Sequence, residues 1–532
     1  MNARCILSVL TIGAVALPAA ARWPDDPSQN LQICARPDLQ YSTRIALASD
    51  HGCYISWVDR GGGWDIYLQR LDAAGSVMWA PGGVRAVSRS GQATQGYDMA
   101  VDGGDHVIIA FHDVRDGFNQ IAAVRIGPAG QPVWGADGVQ LTDLAGLEYV
   151  CRPGVAATDD DEIVIAWSHS VTYTVEDLRL EMQRLAPDGS PVWDEMMVIT
   201  PDLAASFWLC DLNAANDGAV IASWVRHLNW YADRHIWAGK FDRDGEALWG
   251  ADSADEVPHV VIFDAGTIQY GCFPEFVNDG LGGAVFSWYR SYPWPMQVFA
   301  QHVLTEGTEM FPHNGAAVST SVRDRAQPEV CHNPATRETF VFWVEHIYGD
   351  AIKAVYGQKL DTFGNRMWGE EGVEIVPGTA TQYSEIRITP CADGVMVFWI
   401  EEPQWEDCYL NAARLDGDGS FVWDPEIAVV STICADKGDL AMVMNDHGVT
   451  AAVWSDDRNI PDHEDIYAQN ITTDCVFGMR PGDVDGDGVV DITDLFLVLG
   501  DWGCSAGYCP GELNDDGVVD IDDVFVVLSD WG

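Results

Sequence analysis

Two acidic loops near the C-terminus carry the clearest chemistry in the sequence. Residues 483–494 read Asp-Val-Asp-Gly-Asp-Gly-Val-Val-Asp-Ile-Thr-Asp, and residues 512–523 repeat the pattern. Ca²⁺ takes about six to eight oxygen ligands from a loop that turns sharply at a glycine. The sequence therefore predicts calcium as the cofactor. The expected ligands are the side chains of Asp483, Asp485, Asp487, Asp491, Asp494, Glu512, Asn514, Asp516, Asp520 and Asp523, with the backbone carbonyls of Val489 and Val518.

A second set of residues suits the binding of sugars. Aromatic residues recur in the loops that follow a repeated apolar run, and aspartates lie among them. Sugar rings stack on aromatic side chains while their hydroxyls bond to carboxylates. The alternative is that these rings fold back and pack on the edges of their own repeats. The residues concerned are Trp64, Phe118, Tyr173, Trp230, Tyr231, Tyr292, Trp294, Tyr348 and Trp405.

Catalytic residues are not identifiable from the sequence. It contains no serine nucleophile elbow, no His-Glu-x-x-His and no zinc-binding cysteine pattern. A glycosidase needs two carboxylates about 5–10 Å apart. With 81 acidic residues, the sequence offers too many candidates to choose a pair.

The calcium loops also point to a family. Each is followed by a short apolar segment predicted to be helical, 495–499 and 524–528, and each segment ends in Asp-Trp-Gly. A calcium loop followed by a helix, with no helix before it, resembles a type I dockerin, and the Asp-Trp-Gly endings resemble repeats of planctomycete-like secreted proteins. The resemblance covers residues 479–532 and implies docking through 482–532 onto a cohesin-like or cell-surface protein.

Two departures from the dockerin pattern leave the partner open. Loop positions 10 and 11 are often Ser-Thr in that family and contact the cohesin. Here they are Ile492-Thr493 and Ile521-Asp522. Glu512 also replaces the usual aspartate at the first position of the second loop.

The chain before the calcium loops consists largely of a repeat that positions the aromatic loops. Eight units each contain an apolar run ending in an aromatic residue, and seven close with a glycine followed four residues later by Trp or Phe, from Gly75 and Trp79 to Gly419 and Trp423. Short strand-like runs at a period above about fifty residues are typical of β-propeller blades. Because strands alternate in direction, the aromatic loops should all leave one face of the disc.

The eighth unit lacks a closing strand, and the missing piece lies at the other end of the chain. Residues 23–34, starting at Trp23, read as a closing strand without a blade. An open ring would leave two sheet edges unpaired. We therefore predict an all-β, eight-bladed propeller over residues 22–478, closed by its N-terminal strand, with tryptophans packed between the blades and a small α-helical domain after it.

The N-terminus and the overall charge bear on location and partners. Residues 1–21 read as a signal peptide, with a basic start, an apolar run and Ala19-Ala20-Ala21, so the protein is expected to be secreted. The formal net charge of −52 repels phosphate backbones and argues against nucleic acid. No later stretch is long and apolar enough to predict a membrane span. Cys504 and Cys509, between the calcium loops, are the expected disulfide pair.

Two functions fit these features. The first is a non-catalytic component of extracellular polysaccharide breakdown that binds a polysaccharide or a protein. The second is a polysaccharide-degrading hydrolase or lyase with an appended dockerin. The regular repeat favours the first function because no blade carries a long insertion. The region between Trp249 and Trp288 is longer than its equivalents and is the place where an insertion could lie.

Overall fold

A computed structural model describes most of the chain. The residues it describes are 22–61, 63–87, 96–114, 118–144, 146, 148–172, 177–201, 205–229, 231–250, 258–347, 351–403, 408–461, 463–478, 482–485, 489–505, 509, 511, 513 and 518–531. The predicted signal peptide lies outside them. Within them, no helix is long and apolar enough to cross a membrane.

The first half of the chain forms a single N-terminal strand and four sheets. The N-terminal strand is β1 (Leu31–Cys34). Blade 1 contains β2 (Gln40–Leu47), β3 (Cys53–Asp59), β4 (Asp65–Leu71) and β5 (Val84–Val87). Blade 2 contains β6 (Asp98–Val101), β7 (Val107–Asp113), β8 (Gln120–Ile126) and β9 (Val139–Gln140). Blade 3 contains β10 (Tyr149–Ala157), β11 (Ile163–Ser170), β12 (Arg179–Leu185) and β13 (Met197–Ile199). Blade 4 contains β14 (Ser206–Ala214), β15 (Val220–His227), β16 (Arg234–Phe241) and β17 (Val260–Phe263).

The second half forms four more sheets and two helices. Blade 5 contains β18 (Thr267–Ile268), β19 (Phe276–Asn278), β20 (Ala284–Tyr292), β21 (Gln297–Val303) and β22 (Ala316–Ala317). Blade 6 contains β23 (Asp324–Asn333), β24 (Glu338–His346), β25 (Lys353–Leu360) and β26 (Val373–Thr379). Blade 7 contains β27 (Gln382–Cys391), β28 (Gly394–Glu402), β29 (Cys408–Asp416) and β30 (Ile427–Ala435). Blade 8 contains β31 (Lys437–Met444), β32 (Val449–Ile460) and β33 (His463–Thr472). The helices are α1 (Ile492–Gly500) and α2 (Ile521–Ser529).

The N-terminal strand closes the ring, as the sequence predicts. β1 pairs antiparallel with β33, with Leu31 opposite Ala468, and so becomes the outermost strand of blade 8. The innermost strand of blade 8, β31, in turn contacts that of blade 1, β2. The protein is therefore an eight-bladed β-propeller in which the last blade combines both ends of the repeat region. The closing strand covers the edge of β33, which would otherwise be the outer edge of a three-stranded blade.

Tryptophans join neighbouring blades at seven of the eight junctions, and Phe311 takes this place at the eighth. Trp23 covers Gly75 in the closing turn of blade 1, and its indole N–H donates to the Ala73 carbonyl at 3.0 Å. Gly75 has a φ of +82°, and a Cβ there would lie 2.6 Å from the Trp23 ring. The same bond recurs at 2.8–3.0 Å at six other junctions between described residues, from Trp79, Trp134, Trp193, Trp249, Trp368 and Trp423.

The turn of the eighth unit differs in sequence from the other seven. The sequence of this unit predicts no closing turn, because the glycine of the other seven turns is missing. Cys475 takes the glycine's place with a φ of +64°, Ile471 bridges to Phe477, and the Thr473 carbonyl accepts from Trp423. The turn is therefore present in blade 8, and its backbone conformation is kept by a cysteine.

The second strand of each blade supplies the core between the sheets. Its aromatic residue is buried in all eight blades: Trp57, Phe111, Trp167, Trp224, Trp288, Trp343, Trp399 and Trp454. These strands are continuous apolar runs, as expected of strands buried on both faces.

Of the cysteines, Cys504 and Cys509 form the predicted disulfide. Seven of the other described cysteines are buried and pack as small apolar side chains.

Removing the N-terminal strand tests how the ring closes. Deletion of residues 22–36 should lower the Tm sharply, because it exposes the outer edge of β33 and the turn that Trp23 covers. Trp23→Ala alone should cost about 3–5 kcal/mol of unfolding free energy, the usual effect of deleting a buried Trp. Trp294→Ala is the matched control, because Trp294 is 64% exposed. Unchanged thermal unfolding of the deletion variant would refute closure by this strand.

Candidate functional site

Breaks in the innermost strands shape the centre of the propeller. In six blades the pairing between the first and second strands shifts register near the start of the first strand, as between Tyr41 and Arg44 in β2. A β-bulge of this kind bends the strand and redirects its side chains. Five bulge residues adopt left-handed backbone conformations: Ser42, Arg152, Gln327, Glu385 and Asp439.

Blade 5 breaks the pattern most strongly. Its innermost strand is split into β18 and β19, and residues 269–275 between them leave the sheet. This segment lies in the one region that is longer than its equivalents in the repeat. Its departure uncovers part of β20, so that Trp288 and Tyr289 reach the centre of the ring. The irregular spacing in the sequence therefore marks the wall of a cavity.

Two adjoining cavities occupy the centre of the ring. The larger has a volume of about 470 Å³ and lies beside blades 5, 6 and 7, and the smaller, of about 270 Å³, lies beside blades 1 to 5. Phe273 and Glu275 line both, so we describe them together as the central channel. Tyr270 also lines the larger cavity and is exposed. It follows β18, which pairs with Tyr292. The exposed Tyr270 therefore places part of the cavity wall near the face from which the Tyr292–Pro295 turn emerges.

Charged side chains of both signs line the channel. Arg44 lies 3.9 Å from the carboxylate of Asp98. Arg152 stacks on Phe273, with its guanidinium carbon 3.7 Å from the ring centre, and its Nη2 donates to the Cys210 carbonyl at 3.3 Å. The other charged residues of the wall are Asp211, Glu275, Glu329 and Arg387.

Several carboxylates of this region also join neighbouring blades. Asp98 of blade 2 accepts from the Val155 N–H of blade 3 at 2.9 Å. Asp439 of blade 8 accepts from the Ser42 N–H of blade 1 at 2.7 Å. Asp211 of blade 4 accepts from the Phe276 N–H of blade 5 at 3.1 Å. These N–H groups belong to the innermost strands, which are sheet edges, and the carboxylates of the preceding blades accept from them.

Two of the channel carboxyls hold their protons unusually tightly. Burial raises the pKa of Asp211 to about 7, and the negative charge of Glu275 adds to the shift. Burial likewise raises the pKa of Glu329 to about 7, with Arg387 opposing the shift and Glu275 adding to it. Both side chains keep some surface open to the channel but are surrounded by protein, which limits their hydration. Neutral and ionised carboxyls therefore coexist in this site near neutral pH.

The aromatic residues predicted to bind sugars differ in how exposed they are. Trp64 is half-buried and packs edge-on against Tyr41, with the ring centres 6.0 Å apart, a contact of the kind that the packing alternative expects. Phe118, Tyr231, Tyr292 and Trp294 are exposed, and Tyr231 is 99% accessible. The remaining four, Tyr173, Trp230, Tyr348 and Trp405, lie outside the described residues.

Three of the expected ligands of the first calcium loop lie close together in the C-terminal region. One oxygen from each of Asp483, Asp485 and Asp494 lies within 4.8 Å of the others. Asp494 also accepts from the Val484 N–H at 2.6 Å and from the Asp491 N–H at 2.8 Å, which draws the loop around it. This clustering of hard oxygen donors fits Ca²⁺.

The second loop shows the equivalent bonds. Asp523 accepts from the Leu513 N–H at 2.6 Å and from the Asp520 N–H at 2.8 Å. Val489, Asp491 and Val518 are described, whereas the predicted ligands Asp487, Glu512, Asn514 and Asp516 lie outside the described residues.

The two helices begin earlier than the sequence predicts. They start at Ile492 and Ile521 rather than near Leu495 and Val524, because Asp491 and Asp520 cap them from within the loops. The repeats also hold each other at equivalent positions. Gly482 donates to Asp530 at 2.9 Å, and Gly511 donates to Asp501 at 3.0 Å. The pair is thus approximately two-fold symmetric.

The central channel was not predicted from the sequence. Its carboxylates and arginines come from the innermost strands of different blades and are far apart in the chain. Two features of the sequence could have indicated the channel. One is the longer region around blade 5, and the other is the presence of charged residues inside strands that otherwise bury apolar side chains.

Comparisons with known proteins concern the fold only. No family model and no curated protein matches the chain. Among solved structures, the polysaccharide lyase Uly1 is 10% identical, with a TM-score of 0.44 over 83% of this chain and 91% of its own. A puromycin hydrolase is 13% identical, with a TM-score of 0.42 over 82% of this chain and 62% of its own. A PL25 ulvan lyase is 12% identical, with a TM-score of 0.40 over 86% of this chain and 95% of its own.

The raised pKa of Asp211 predicts a pH-dependent stability. The folded protein holds this proton up to about pH 7, whereas the unfolded chain releases it near the ordinary value of 3.8. The stabilisation is therefore present below about pH 4 and is lost as the pH rises to about 7. The Tm of wild type should fall relative to that of Asp211→Asn across this range, with exposed Asp418→Asn as control. A Tm difference that does not change with pH would contradict the assignment.

Calcium binding is tested by removing one ligand from one loop. Asp494→Ala should lower the stoichiometry measured by calorimetry from two Ca²⁺ per chain to one, and should lower the helix content of the C-terminal region. Asp522→Ala is the control, because Asp522 is exposed at position 11 of the second loop and is not an expected ligand. Two Ca²⁺ bound with unchanged affinity by the Asp494 variant would contradict the ligand set.

Proposed function

We propose that this protein is a secreted propeller that binds polysaccharide at the mouth of its central channel and is attached to a cohesin-like or cell-surface protein by its calcium-binding C-terminal pair. The observation that carries the proposal is the position of the cavity of about 470 Å³. Its wall includes the exposed Tyr270, near the face that presents exposed Tyr231, Tyr292 and Trp294.

The composition of this face favours a sugar chain. The cavity wall combines the aromatic rings of Tyr270, Phe273 and Tyr289 with polar groups of Gln269 and Gln327. Apolar ring faces beside hydrogen-bonding groups match the C–H faces and hydroxyls of a pyranose. Exposed Trp294 and Tyr292 would extend the sugar-binding surface beyond the cavity. A polymer that is longer than the cavity needs such binding positions outside it.

The surface of the helix pair supports the attachment. Large apolar side chains stay exposed at matching positions of both repeats, where a monomeric domain usually places polar residues. They are Val489, Ile492, Phe496, Leu499 and Trp502 in the first repeat, and Val518, Ile521, Phe525, Leu528 and Trp531 in the second. Ile492 and Ile521 are two of the positions at which this chain departs from the usual dockerin sequence, so its partner surface should be more apolar than a standard one.

A second candidate function is the enzymatic breakdown of the bound polysaccharide. It is favoured by the carboxyls of Asp211 and Glu329, whose pKa values of about 7 allow proton donation near neutral pH. Glu275 lies on the wall of the same channel. A protonated carboxyl and an ionised one in the same site are the groups that glycoside hydrolysis uses.

One assay separates binding from breakdown. Wild type should retain an insoluble or arrayed polysaccharide without releasing new reducing or unsaturated ends. Tyr292→Ala combined with Trp294→Ala should reduce retention at least about tenfold, since stacking on one aromatic ring is worth on the order of 1 kcal/mol. Phe363→Ala is the matched control, because Phe363 is 66% exposed on the opposite face.

The outcomes of this assay are distinct. Equal retention by wild type and by the double variant would reject the aromatic face as the binding surface. New ends that appear with wild type and are lost in Glu275→Gln would establish the second function and reject a non-catalytic role.

A further inference from the structure

Two histidines and an aspartate meet at the junction where the ring closes. His51 lies in the turn between β2 and β3 of blade 1, and Asp446 and His447 lie in the turn between β31 and β32 of blade 8. These turns are far apart in the chain and become neighbours only because blade 8 packs against blade 1. They lie on the face opposite to the aromatic loops.

The three side chains converge on a small volume. His51 Nδ1 lies 3.1 Å from Asp446 Oδ1, and His447 Nε2 lies 3.5 Å from the same oxygen. All three donor atoms lie within 4.8 Å of one another. The two imidazole rings are nearly perpendicular, at 78°, with centres 4.5 Å apart.

Backbone bonds hold both turns in this arrangement. His51 has a left-handed φ of +64°, and the Asp50 side chain accepts from the Gly52 N–H at 3.2 Å. In blade 8 the buried Asn445 side chain accepts from the His447 N–H at 3.1 Å and from the Val449 N–H at 3.0 Å. The donor atoms are therefore brought together by the turns themselves.

This donor set suits a transition metal. Bonds of about 2.0–2.1 Å from Zn²⁺ to imidazole nitrogen or carboxylate oxygen place tetrahedral ligands about 3.3 Å apart. The two distances to Asp446 Oδ1, 3.1 and 3.5 Å, bracket that separation. Imidazole nitrogens favour Zn²⁺ and its neighbours over Ca²⁺ or Mg²⁺, which prefer oxygen.

We propose that His51, Asp446 and His447 form a Zn²⁺-binding site that joins the first and last blades, with water as the fourth ligand. The side chain of Asp446 is 77% exposed, and those of the histidines are about one-third exposed, so the ion and its water have access from solvent. The blades meet here without a covalent link between the two turns. An ion held by both would therefore oppose opening of the ring at its closure.

The test uses the full chain without a histidine tag, stripped with EDTA and returned to buffer containing excess Ca²⁺ to occupy the oxygen-ligand loops. Zn²⁺ is then titrated by calorimetry, and the Tm is measured with and without it. We expect one Zn²⁺ per chain and a higher Tm in its presence.

Matched variants connect the result to the three residues. Loss of groups that only support metal ligands weakens binding by about 10- to 100-fold, so loss of a ligand should cost at least as much. His51→Asn and His447→Asn should each weaken Zn²⁺ binding by at least about tenfold. The double variant should show no Tm increase with Zn²⁺. His463→Asn, at an exposed turn of blade 8, should behave as wild type.

Two results would overturn the proposal. One is wild type that binds no Zn²⁺ in the presence of Ca²⁺. The other is a double variant that binds Zn²⁺ with the stoichiometry and affinity of wild type, which would place the ion elsewhere. Both results are independent of polysaccharide binding, so failure here leaves the proposed function standing.

Discussion

The contact between an indole and the turn of the next blade is the interaction on which this propeller depends. Each closing aromatic residue covers a backbone position with positive φ in the neighbouring blade, and where it is tryptophan it donates to a carbonyl of that turn. A single blade buries little of its own surface, so the stability of the fold lies between blades. The contact must also bridge the two ends of the repeat region, and Trp23 does so by docking blade 8 on blade 1.

Regular contacts at the outside of the ring coexist with irregular strands at its centre. The innermost strands cannot all stay straight where they converge, and bulges in six of them turn polar side chains toward the axis. Carboxylates of three blades accept from N–H groups on the innermost strand of the next blade. The same residues that complete the inner ring thus line the channel, which gives it buried acids with raised pKa values.

The two C-terminal loop–helix repeats are stabilised in a different way from the propeller. Its small apolar core is built from valines at equivalent positions, including Val498 and Val527, while larger apolar side chains remain outside. Aspartates that cap the helices also belong to the expected calcium loops, so the proposed ion binding would be coupled to helix formation. The Cys504–Cys509 disulfide adds a covalent link to this small core, and the proposed Ca²⁺ ions would stabilise it further.

Local and repeated features could be predicted from the sequence. The number of blades, the closing role of residues 23–34, the docking tryptophans and the helices after the acidic loops all follow from spacing, because each depends on residues near one another or on the repeat itself. The helix starts were misplaced because Asp491 and Asp520 serve as caps as well as expected ligands. The eighth turn was missed because a cysteine, Cys475, takes the place of glycine.

The central channel and the His51–Asp446–His447 cluster were decided by the tertiary structure alone. Their members come from different blades, and no spacing in the chain relates them. Whether Trp64 packs inward while Trp294 stays exposed also depends on neighbours that pairing and ring closure bring together. The sequence by itself determined the repeat and hence the ring, because strand period and turn chemistry are local. The structure decided the sites, because they form where separate repeats meet.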